Sequence, residues 1–160
     1  MKLVAVFALL CLLGVITWAE ELQDYDLSLK TPHCRHPEYQ EWYSVGNMCV
    51  KLIDQALNFN EAESHCAGIG KNIHLVSLHC AKDNFSIGRF AREIKDSDFW
   101  VGAQIRRGRW KWTDGSNTDY KNLRGTPPST GRSCIAMHGG GKWDAVNCNM
   151  KLNFICEFKE

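Results

Sequence analysis

The chain reads as a small exported α+β domain, two helices flanking small antiparallel sheets, with a long structured loop and disulfide staples. Two observations carry this. An apolar leader precedes a chain that keeps seven cysteines once the leader is removed. Behind the leader, hairpin, helix, strand and loop signals follow in an order that suits helices packed on a small sheet.

The leader has the parts of a secretory signal peptide. Lys2 supplies a basic start, Leu3 to Ile16 is an apolar run broken only by Gly14, and Thr17-Trp18-Ala19 places small residues at a cleavage point after Ala19. The run is shorter than the ~20 apolar residues a spanning helix needs, so residues 1–19 are read as a signal peptide and no membrane span is expected. The protein is expected to be secreted and extracellular. Residues 20–33 carry Glu20, Glu21, Asp24 and Asp26 against Lys30, a short acidic extension. Residues 34–160 then make one domain. The formal net charge of the whole chain is +1. Losing Lys2 brings it to neutral, which argues against a nucleic-acid partner.

Cys11 leaves with the leader. Cys34, Cys49, Cys66, Cys80, Cys134, Cys148 and Cys156 remain, and export makes disulfides their default state. A metal site finds little support, because there is no Cys-x-x-Cys pair and the six His do not fall at ligand spacing. Seven is odd, so at least one thiol is left over, and sequence alone leaves the pairing open.

Along the domain, Glu41 to Val50 reads as a hairpin, with aromatic and β-branched residues around the turn pair Gly46-Asn47. Asn58 or Asn60 caps a first helix through Cys66, which Gly68 and Gly70 would end. His74 to Leu78 alternates as a strand. A second helix is predicted from Ala81 to Ile94, where Ile87, Phe90, Ala91 and Ile94 share one face. Asp98 to Gly102 is a short apolar strand. From Arg106 to Gly131 the chain is rich in Gly, Pro, Asn, Asp, Ser and Thr, and reads as a long irregular region anchored by Trp110, Trp112 and Tyr120. Strand character returns at Cys134–Met137 and Asn153–Phe158.

Several of these segments also carry a resemblance. The Trp42-Tyr43 pair, the first helix with its Cys, Leu75-Val76-Ser77-Leu78-His79, Trp100-Val101-Gly102 and Trp110-Lys111-Trp112-Thr113-Asp114-Gly115 come in order. They are followed by Trp143-Asp144-Ala145-Val146-Asn147-Cys148 and Phe154-Ile155-Cys156-Glu157. Together they resemble a secreted C-type lectin-like domain of the long form, like the venom-type (snaclec-like) subunits, over Cys34 to Glu160. The resemblance implies the pairs Cys34–Cys49, Cys66–Cys156 and Cys134–Cys148. Cys80 is then the spare, read either as a buried inert thiol or as an intermolecular disulfide that makes a dimer or ties in a partner.

In sugar-binding relatives the long loop holds a calcium ion with oxygen side chains, and calcium wants six to eight oxygens, several of them ionised. The family's tripeptide ligands fall here on Thr126-Pro127-Pro128. Thr126 is neutral, and Pro128 has no side-chain oxygen. Arg132 stands where an acid is expected before Cys134. The usual Asn-Asp pair has become Asp144-Ala145. The resemblance therefore implies a calcium site lost at these positions, no metal, no cofactor and no calcium-dependent sugar binding.

Arg106, Arg107, Arg109 and Lys111 cluster near the start of the loop, with Arg124 and Arg132 further along, and Arg offers a planar donor fork to sulfate or carboxylate. An acidic glycan or an acidic protein face is one candidate ligand; a solvated charged edge is the plainer reading. Trp100, Trp110, Trp112 and Trp143 are read as packing anchors. Asn84-Phe85-Ser86 is an N-glycosylation sequon that depends on Asn84 facing outward. No nucleophile motif or phosphate loop points to an enzyme. The expected function is calcium-independent recognition of an extracellular protein or glycan. A structural matrix protein or an ice-binding protein is the alternative, and a calcium-dependent carbohydrate-binding lectin stands last.

Overall fold

A computed structural model describes residues 33–159; the stretch read as a signal peptide and nearly all of the stretch read as an acidic extension lie outside them. After a short 3-10 turn at Pro37–Tyr39, strands β1 (Tyr43–Val45) and β2 (Met48–Leu57) form the opening hairpin. Its turn is Gly46-Asn47, with Gly46 at φ +62°. Helix α1 (Phe59–Ile69) begins at Asn58, whose side chain accepts from the Glu61 N–H while Glu61 reaches back to the Asn58 N–H, each at 3.0 Å. That reciprocal box decides the cap in favour of Asn58 over Asn60. The helix runs through Gly68 and stops at Gly70.

Strand β3 (Ile73–Leu75) precedes helix α2 (Ala81–Ile94). Then come β4 (Phe99–Arg106), β5 (Arg109–Trp112), β6 (Arg132–Met137), β7 (Trp143–Val146) and β8 (Leu152–Phe158). One sheet takes them all, in the order β1-β2-β8-β4-β6-β7, with β3 paired to β8 and β5 to β4. Strand β8 is its spine. It pairs antiparallel with β2 on one edge, and on the other with β3 and, in parallel, with the start of β4.

Alternation along the central strands builds two cores. From β4, Phe99, Val101, Ala103 and Ile105 join Ile87, Phe90 and Ala91 of α2, together with Trp112 and Trp143. Trp100 points the other way and joins Phe59, Ala62 and Cys66 of α1. Residues i and i+2 share a face in a strand, so the two helices cover opposite faces. Disulfides join Cys34 to Cys49, Cys66 to Cys156 and Cys134 to Cys148. Cys66–Cys156 lies wholly within the α1-side core and ties α1 to the spine.

Two strands stand where irregular chain or no strand was expected. Strand β5 lies inside the stretch read as loop, and β7 inside the closing signature. In β5 the period of two is present, with Trp112 buried, Trp110 half-buried and Arg109 and Lys111 exposed. Its charge and the flanking turn residues disguise it. β7 is short, and its inward Trp143 is followed by three half-buried residues instead of a clean alternation.

Candidate functional site

The β4–β5 hairpin turns at Arg107-Gly108, with φ values of 50° and 74°. Two successive positive φ values fit the right-handed twist of paired strands, and Asn-Gly is the usual occupant. Arg107 carries a Cβ, so this conformation has a local steric cost. Its N–H donates to the Gly131 carbonyl at 2.9 Å, tying the turn to the chain entering β6.

Strand register then sets the surface. Arg106 lies opposite Arg109 of β5 and opposite Arg132 of β6, while Gln104 lies opposite Lys111. Residues directly opposed share a face. Arg109, Arg106 and Arg132 therefore form a row across three strands, with Lys111 two residues along from Arg109. All four are exposed. Among the described residues, neither they nor Arg107 form an ion pair with a carboxylate. Arg132 is instead oriented by neutral oxygens, donating to Gln104 Oε1 at 3.1 Å and to Asn60 Oδ1 at 2.7 Å. Its charge stays available. Gln104, Arg106, Arg107, Arg109 and Lys111 border an open hollow of about 540 Å³.

Arg124 does not belong to this group. It donates from Nε to Asp144 Oδ1 at 2.9 Å and from a second guanidinium nitrogen to Asp144 Oδ2. His138 bridges the same carboxylate, at 2.7 Å from Nε2, to Asp98 at Nδ1. The Arg124 hydrogen bond, aided by His138 and opposed by partial burial, holds the Asp144 carboxyl down at about 2. Asp144 lies opposite Ala136 on β6, four residues along that strand from Arg132, which is roughly 13 Å. Ala145 lies opposite Ile135, and Thr126 and Pro128 are exposed in the loop. Among the positions matched to calcium ligands, Arg132 and Asp144 thus stand well apart on the sheet. Their single carboxylate is already engaged by an arginine and a histidine.

The long loop is fastened from beneath. Trp143 meets Trp112 edge-on at 5.9 Å and Tyr120 at 5.7 Å. The Trp143 indole N–H donates to Asn84 Oδ1 at 2.7 Å, and Asn84 Nδ2 donates to the Gly141 carbonyl at 2.9 Å. Asn84 is only 5% exposed. The sequon at Asn84 depended on an outward-facing side chain, and here the nitrogen that would carry the sugar points inward and is hydrogen bonded. Cys80 is corrected in part. Its thiol is exposed at the N-cap of α2, where the sulfur accepts from the Asp83 N–H, so the buried inert thiol is excluded.

A further polar cluster closes the sheet near the loop's start. Lys159 Nζ donates to Asp114 Oδ2 at 2.5 Å and to Ser77 Oγ at 2.6 Å, and lies 3.9 Å from Glu157. Burial works against the charge on Asp114, but hydrogen bonds from Lys159, Ser116 and Ser77 overcome it and hold its carboxyl well below the usual carboxylate range. Glu157 goes the other way: burial raises it, and the Lys159 charge only partly offsets that. His79 spans Ser77 and Asp119, at 3.1 and 2.8 Å. The sequence Asp119–His79–Ser77 has the outline of a hydrolase relay. Ser77, however, is buried and gives its hydroxyl proton to Asp114 at 2.7 Å, so it presents no nucleophile. Sequence reading missed this cluster because its members lie far apart along the chain.

Known proteins agree with this architecture. The family described as Lectin C-type domain matches residues 55–158. Rheacalcin-2 of Rhea americana is 26% identical over 132 residues, covering 73% of this chain and 92% of that one. Snaclec 3 of Daboia siamensis is 29% identical over 122 residues, covering 74% and 79%. Among solved structures, a calcium-independent type II antifreeze protein superposes with a TM-score of 0.62 at 27% identity, covering 72% of this chain and 89% of that one.

Proposed function

Because this chain belongs to the C-type lectin domain family, whose members are non-enzymatic binding proteins, we propose that it is a secreted recognition protein that takes an acidic ligand on the β4–β5–β6 tip without calcium. One observation carries the reading. Five cationic side chains converge on a sheet end, and no carboxylate among the described residues neutralises them. Like charges directly opposed across strands destabilise a sheet. A face kept in that state is prepared for an anion from outside.

Calcium independence rests on the donor set. A hard dication needs several free oxygens, and Asp144 is the one carboxylate left among the matched positions. Its oxygens are held by Arg124 and His138, and the guanidinium places positive charge where the metal's charge would sit. The likeness to a solved structure described as calcium-independent runs in the same direction. Ice binding is the weaker alternative, since an ice surface offers nothing to a row of arginines.

Thermal unfolding in calcium and in EDTA tests the metal half of this reading. The melting temperature should be the same in both. A calcium-dependent rise that disappears in Asp144→Ala would overturn it.

A further inference from the structure

We infer that the ligand of the tip is a linear sulfated polysaccharide, an inference that rests on the tip being the binding surface. Adjacent strands lie about 4.8 Å apart, so the Arg109–Arg106–Arg132 row spans roughly 10 Å, with Lys111 about 7 Å away along β5. This is an open, multivalent field around a shallow hollow that suits a chain carrying sulfates at short intervals, and it lacks the closed pocket a single small anion would need. Guanidinium is planar and gives paired donors to sulfate oxygens. The fork of Arg132 is already oriented by Gln104 and Asn60, which lowers the cost of ordering it.

An acidic protein partner fits less well. Protein interfaces draw most of their affinity from a few buried aromatic and apolar anchors ringed by polar residues. Among the described residues, the exposed large apolar side chains are Ile69, Phe85, Ile94 and Met150, and none lies on β4, β5 or β6. The aromatic residues of β5 turn to the opposite face, where Trp112 is buried and Trp110 packs on Trp143. The tip offers charge and hydrogen-bond donors alone, which is enough for a polyanion whose binding is driven by charge.

Local structure supports a surface retained for binding and not for folding. Arg107 occupies a left-handed turn position that Asn fills at lower cost. Arg106 and Arg109 are directly opposed like charges. Replacing these residues should therefore preserve or improve stability while removing binding, which separates the ligand role from a structural one.

The test measures binding of the mature protein in EDTA to a size-defined heparin oligosaccharide, to the same oligosaccharide fully desulfated, and to polyglutamate of matched charge. The proteins compared are wild type, Arg107→Asn and Arg106→Thr/Arg109→Thr. We expect heparin to bind and to weaken as salt rises, with desulfated heparin and polyglutamate at least tenfold weaker. Arg107→Asn should lose about three- to fivefold in affinity, and the double variant more than tenfold. Both should melt at or above the wild-type temperature. Tighter binding of polyglutamate than of heparin would overturn the sulfated-glycan inference and leave the tip standing as an acidic-ligand site. Equal binding of desulfated heparin would do the same. Heparin binding that is unchanged in both variants, or no binding of any of the three ligands, would remove both readings.

Discussion

At Asn84 one buried amide joins α2 to the long loop, accepting from the Trp143 indole and donating to Gly141. Asn84→Ala would leave the buried Trp143 indole N–H without a partner, while the Gly141 carbonyl keeps the Asn122 amide as a donor, and an unmet buried group costs about 1–3 kcal/mol. We expect about 1–3 kcal/mol of destabilisation by chemical denaturation, and no mass shift when the protein is treated with an N-glycosidase. Two other side chains fix the acid limit. Asp144 and Asp114 titrate below their ordinary value of 3.8 in the folded chain. Their contributions are therefore complete above about pH 4 and are lost as the pH falls through the folded values. Glu157 is raised, so its contribution has the opposite sign and declines above its ordinary 4.5. The melting temperature should drop steeply from pH 4 to pH 2, and Asp144→Asn should flatten that slope. The sequence could name Asn84 as a sequon but not its direction. Whether an amide faces in or out depends on partners more than fifty residues away.

Helix α2 was legible end to end, because four apolar residues fall on one face of a 14-residue element. The hairpins were legible in proportion to their turns. Gly46-Asn47 is a strong turn signal, whereas Arg107-Gly108 is a weak one, and with it β5 went unread. That miss mattered for the site. Once β5 is a strand, the scattered basic residues become a row and Arg132 joins them from β6. Arg124 leaves them for Asp144, a pairing set by the loop's path along β7, where Arg124 N–H donates to the Trp143 carbonyl at 2.8 Å. Beside the long loop, Cys80 caps α2 with an exposed sulfur. Exposed thiols in an oxidising compartment pair readily, so we expect a dimer band on non-reducing gels. Cys80→Ser should be monomeric and at least as stable, since Ser is a better cap. A wild-type band at monomer mass with one alkylatable thiol would contradict this.

Across the whole molecule, a sheet with a helix on each face supports a great deal of irregular chain, and the disulfides compensate for the small cores. Cys66–Cys156 closes a span of 90 residues, against 15 and 14 for the other two. In the chain-entropy account it restricts the unfolded chain most, by about 4–5 kcal/mol against about 3 for each short loop. Removing it as a Cys→Ser pair should therefore lower the denaturation midpoint further than removing either of the others. The framework was readable because cysteines, tryptophans and turn residues mark it locally. The binding face was not, because it is made by register between strands far apart in sequence. The proposed function turns on recognition of an acidic ligand by that face without metal. A glycan array probed with the mature protein in calcium and again in EDTA tests it most directly. We expect signal on sulfated glycans that is equal in both conditions. Signal confined to neutral mannose- or galactose-terminated glycans and abolished by EDTA would contradict it.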